Sequence, residues 1–99
     1  MSIELADSFS DLSLEDRNIL SDYITTSFVS CKTINTKYSA YHLKQRFTRI
    51  HVLTKHITNQ CFMDAMVAAG YNAKSITTAG TKDWYFNIGV PLYERKKEI

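Results

Sequence analysis

Apolar residues recur at helical spacing in three stretches of this 99-residue chain and alternate with polar ones in a fourth. Ile19, Leu20, Tyr23, Ile24 and Phe28 fall on one side of a helix over about 14–28. Ser13, with Asp16 three residues on, marks its start as a capping box with Asp in the place of Glu. The β-branched Thr25, Thr26 and Val29 weaken its end. A second stripe, Ala40, Leu43, Phe47 and Ile50, predicts a helix opening near Ser39, whose hydroxyl can cap it. Lys44, Gln45 and Arg49 are then left toward solvent. The third stripe, Phe62, Ala65, Met66 and Ala69, follows Thr58 as cap and stops at Gly70, which adopts a left-handed backbone without side-chain clash. Residues 30–36 read as a polar connector and 51–57 as a turn with a short strand.

Trp84, Phe86 and Ile88 alternate with Tyr85 and Asn87, as on a strand with one buried face. Tyr71 to Ile76 is its expected partner, across a loop 77–83 that holds Ala79–Gly80 and carries Lys82 near its tip. Gly89, Val90 and Pro91 end that strand. The expected class is α+β, three helices with a small β-hairpin wing, in the order helix, helix, strand, helix, strand, strand. That is the order of a winged helix-turn-helix domain over 13–90. Residues 1–12 read as a loose or partly ordered arm, and 91–99 as a short charged tail or docking segment.

Length and composition fit one small domain, since three glycines and one proline are too few for a linker or low-complexity chain. Acids stand at the N-terminus where a signal peptide would carry bases, and no run of eighteen apolar residues occurs. The expected compartment is therefore the cytoplasm, with no membrane partner and with Cys31 and Cys61 as free thiols.

Charge changes the picture most. Residues 1–30 hold six acids (Glu4, Asp7, Asp11, Glu15, Asp16, Asp22) against Arg17 alone. Residues 31–82 hold eight bases (Lys32, Lys37, Lys44, Arg46, Arg49, Lys55, Lys74, Lys82) against Asp64 alone. A basic body attracts polyanions, and an acidic first segment shields it or meets a basic partner. Lys37, Lys44, Arg46, Arg49, Lys55, Lys74 and Lys82 are candidates for phosphate contact, which positions a nucleic acid without reading its sequence. Tyr38, Tyr41, Tyr71 and Tyr85 are candidate stacking platforms for unpaired bases, or ordinary core tyrosines with hydroxyls at the edge.

The third helix would be the recognition helix, with Asn59, Gln60, Met63, Asp64 and Val67 outward. Asn59 and Gln60 can read adenine edges. Against that, the helix has no Lys or Arg, and Asp64 repels phosphate. Enzyme chemistry is not in view. His42, His51 and His56 lack metal-ligand spacing with either cysteine, and Gly70, Gly80 and Gly89 are isolated, as no phosphate loop would have them. No cofactor or metal is expected.

Over 38–71 and 84–88, about half of the chain, the sequence resembles a known family. The residues are Tyr38-Ser39-Ala40-Tyr41-His42-Leu43-Lys44, Ile57-Thr58-Asn59, Phe62, Ala65-Met66, Ala69-Gly70-Tyr71 and Trp84-Tyr85-Phe86-Asn87-Ile88. They are similar to small winged-helix-like proteins of Gram-positive phages and mobile genomic elements, among them the middle protein of the staphylococcal cassette chromosome replication operon. The resemblance implies a non-enzymatic accessory role in element DNA replication, with single-stranded DNA and an element-encoded polymerase/primase or helicase as partners. Duplex DNA read by a transcription regulator, and a pure protein–protein adaptor, are the alternatives. Acidic helix 1, with Trp84, Leu92 or Tyr93, is the expected docking surface.

Overall fold

Three helices begin where a hydroxyl side chain can replace a missing backbone partner. In the computed structural model, which describes residues 5–53 and 56–92, Ser13 accepts from the Asp16 amide, Ser39 from His42 and Thr58 from Cys61. These caps open α1 (Leu14–Ser27), α2 (Ala40–Ile50) and α3 (Asn59–Ala68). α3 ends in a Schellman turn. The Tyr71 amide donates to Met66 at 3.1 Å and the Gly70 amide to Val67 at 2.9 Å, with Gly70 at φ +100°.

The strands are β1 (Leu5–Ala6), β2 (Ser30–Ser39), β3 (His56–Ile57), β4 (Ala73–Thr78) and β5 (Thr81–Ile88). β2, β5 and β4 form an antiparallel sheet in that spatial order, and β1 pairs with β3 in parallel. The domain is thus a small α+β fold with three helices and a three-stranded antiparallel sheet. Within the segment read as an arm, Ala6 is fully buried and its carbonyl accepts from the Thr58 amide at 3.1 Å, so β1 braces the start of α3. No described helix is long and apolar enough to cross a membrane.

Phe47, Phe62, Phe86, Leu20, Ile24, Leu43, Met66 and Ile88 are fully buried and join the helices to the inner face of the sheet. Tyr23 of α1 meets Phe47 of α2 edge-on at 5.0 Å. His51 caps the end of α2 and stacks on Phe47 at 5.2 Å.

Three expectations need correcting. Residues 30–36 are not a connector: they belong to β2, whose pairing with β5 is interrupted twice by register shifts. Ile50 and Ala69 are not core residues. Ile50 points away at the last turn of α2, 55% exposed, and Ala69 is the exposed cap residue of α3. Met63 is not outward but buried at 7% exposure, because α3 is covered on more than one side. The 3-10 turn Phe9–Asp11 also packs against it.

The β4–β5 hairpin closes more tightly than a loop over 77–83. Thr78 pairs with Thr81, leaving Ala79–Gly80 as a two-residue turn with φ of 51° and 81°. Positive φ at both positions is the type I′ pattern, which favours Asn-Gly, and a left-handed alanine costs about 1–2 kcal/mol. Ala79→Asn should therefore stabilise the domain by about 0.5–1 kcal/mol. Thermal unfolding followed by circular dichroism should rise by a few degrees; a fall would mean that the turn is of another type.

Candidate nucleic-acid interface

α2 carries three bases and no acid, and its buried residues Ala40, Leu43 and Phe47 leave Lys44 and Arg49 turned from the core, while Arg46 is half-buried against α1. Tyr41 is 51% exposed, and the Lys44 ammonium lies 5.3 Å from its ring centre. Gln45 donates from Nε2 to the Tyr41 hydroxyl at 2.7 Å, which holds the ring against the helix. Further round the helix, His42, Gln45, Arg46 and Arg49 line a shallow depression. These positions are three, four and seven residues apart, so they share one strip of helix surface.

Arg46 differs from the other bases. It is half-buried, with its Nε buried. The Tyr23 hydroxyl makes no well-aligned hydrogen bond among the described residues, yet Arg46 and Ser27 lie close to it. Burial raises the Tyr23 phenol above its ordinary value, and the nearby guanidinium and serine partly oppose that. Arg46 is therefore held between α1 and the depression. Arg49 and Lys37 are exposed.

The β4–β5 hairpin carries the second group. Lys82 lies 5.2 Å from the centre of the half-buried Trp84 ring. Lys74 is opposite Tyr85 and Lys82 opposite Thr77, so strand alternation puts the two lysines on different faces of the hairpin. The structure does not bring them together. Of the tyrosines named as stacking candidates, Tyr38 is buried, Tyr71 and Tyr85 are half-buried, and Tyr41 alone is open. Lys55 lies outside the described residues, as does Tyr93.

Asn59 and Gln60 are exposed on the first turn of α3. Gln60 donates to the Asp64 carboxylate at 3.0 Å, which occupies one of the groups that would read a base edge. Asn87 is structural. It accepts from the Asn72 amide at 2.7 Å and donates to the Cys31 carbonyl at 3.2 Å, tying β5 to β2 and to the turn after α3. Sequence reasoning missed the part played by Trp84 and Gln45. The Lys-x-Trp spacing on an alternating strand was the available signal for the first, and the Tyr41/Gln45 spacing of four for the second.

Among the described residues no three His, Cys, Asp or Glu side chains gather as a metal site would need. Cys31 and Cys61 are not bridged. Cys61 is fully buried against the Ser8 carbonyl, and burial, then Asp64, Asp11 and Asp7, push its thiol up to about 11. A thiol raised this way is inert at neutral pH. Its stabilising effect is complete below the unfolded-state value of 9.0 and is lost as pH rises toward 11, because the unfolded chain loses its proton first. Urea midpoints should fall between pH 8.5 and about 10.5, and Cys61→Ala should flatten that fall. Equal slopes in the two proteins would assign the alkaline loss to other groups.

No protein family, no curated protein and no solved structure matches this chain.

Proposed function

We propose that this chain is a winged helix-turn-helix domain that holds single-stranded DNA on α2 and the wing, and acts as a non-enzymatic accessory protein in the replication of a mobile element. The observation that carries this reading is the pairing of a lysine with an aromatic ring at two places, Lys44 with the exposed Tyr41 and Lys82 with the half-buried Trp84. Each pair offers a cation to a phosphate and a flat face to an unpaired base, and base stacking contributes about 1–3 kcal/mol.

The winged part of the reading is supported by the strand order. β2 lies between α1 and α2 in the chain and pairs with the last strand, while β4 and β5 form the hairpin. Reading of duplex sequence by α3 is disfavoured by its lack of bases, by Met63 turning inward and by the Gln60–Asp64 bond. The tethering half of the proposal, to an element polymerase/primase or helicase, is supported by a groove lined by Ile19, Asp22, Tyr23, Thr26, His51 and Val52. Val52 is 94% exposed there and Ile50 is exposed nearby.

The test is a salt titration of binding to a fluorescent oligothymidylate and to a matched duplex. Binding to the single strand should fall with log salt by about 0.7 per phosphate contact. No binding at the lowest ionic strength would discard the proposal. Tighter binding to the duplex would favour the regulator reading instead.

A further inference from the structure

Helix α2 offers more than a diffuse positive surface. We propose that the depression lined by His42, Gln45, Arg46 and Arg49 is a discrete seat for one phosphate group, occupied in the complex by a backbone phosphodiester of the strand. The inference rests on the single-strand reading for its natural ligand, and on the geometry of α2 for the seat itself.

Three observations converge. The lining is a set of nitrogen donors, two guanidinium groups and a primary amide, with an imidazole beside them and no carboxylate among them. Arginine forks match phosphate oxygens two at a time, which a lysine cannot do. Second, two of the donors are held before any ligand arrives. Arg46 is anchored with its Nε buried beside Tyr23, and Gln45 is held by the Tyr41 hydroxyl. Ordering side chains ahead of binding removes part of the entropic penalty of association. Third, the hydrogen bond from Gln45 joins the seat to the Tyr41 ring. A phosphate in the depression thus places its neighbouring nucleotide beside the exposed Tyr41 ring, over which the Lys44 ammonium also lies, 5.3 Å from the ring centre. The seat fixes the strand's path over α2, whereas the wing pair meets the strand separately.

The experiment has two arms on the whole chain. In the first, inorganic phosphate is titrated at constant ionic strength while the arginine Nε–H, glutamine amide and histidine ring resonances are followed by NMR. Saturable shifts of Arg46, Arg49, Gln45 and His42 are expected, and their absence overturns the seat. In the second, the double variant His42→Ala/Arg49→Ala is compared with the parent in the salt titration. Both residues are exposed, so the fold is retained, and Arg46, which packs against α1, is left in place. Affinity for the oligothymidylate should fall about tenfold and the salt slope by about 0.7. An unchanged slope overturns the seat while leaving the single-strand reading standing. Phosphate shifts without any oligonucleotide binding would do the reverse, sustaining the seat and removing its proposed ligand.

Discussion

Replacing Phe47 by alanine should destabilise the domain by about 3–5 kcal/mol, the largest effect expected of any single substitution here. The ring is completely buried and sits where α1, α2 and the turn after α2 meet. Tyr23 approaches it edge-on at 5.0 Å and His51 stacks on it at 5.2 Å, so truncation removes both aromatic contacts along with the transfer energy of the side chain. The void would not be refilled by collapse, since Tyr23 and His51 are themselves held by neighbouring elements. Small domains have about 5–15 kcal/mol to lose, so urea unfolding should show a strongly lowered midpoint with a similar slope. Phe47→Leu, which keeps most of the volume, should lose much less. A loss under about 1 kcal/mol for the alanine variant would contradict the packing described.

The second large effect is on binding. Lys44→Glu combined with Lys82→Glu should lower affinity for single-stranded DNA by about two orders of magnitude at low salt. Each change removes a cation beside an aromatic platform and puts a carboxylate where a phosphate would lie. Lys82 is exposed and Lys44 half-buried along its stem, and no core contact is altered, so the melting temperature should stay within a few degrees of the parent's. Tyr41→Ala, which leaves the charge alone, should cost about 1–3 kcal/mol of binding through lost stacking. Full affinity in the double reversal would remove α2 and the β4–β5 hairpin from the proposed DNA-binding surface.

Helix starts were legible in the chain because capping is local. Ser13, Ser39 and Thr58 each act on an amide three residues away, so spacing alone finds them. Gly70 was legible for the same reason. β2 was not. Ser30–Ser39 is nearly all polar, its register with β5 shifts twice, and its partner lies at the far end of the chain. Only its β-branched Thr33, Ile34 and Thr36, with no glycine or proline, hinted at extended backbone. Ile50 failed as a core residue because the last turn of α2 extends past the elements that cover its apolar side. On the surface, the bases of α2 could be read as outward-facing from the helical period. That Arg46 would be anchored against Tyr23, and that Lys74 and Lys82 would part company across the hairpin, depends on tertiary placement and strand register.

The pairing of β2 with β5 carries a consequence for how the molecule is made. Ser30 finds its partner only at Ile88, and Leu5 finds His56, so both sheets join early segments to late ones. On the ribosome, β2 would emerge with an unpaired edge and wait for nearly the whole domain to leave the exit tunnel. Helices α1 and α2 can form meanwhile, but the apolar faces they bury against Phe86 and Ile88 stay open until translation has passed those residues. Nascent copies are therefore most prone to sticking to one another before β5 has emerged, and slow translation of the β4–β5 hairpin would lengthen that exposure.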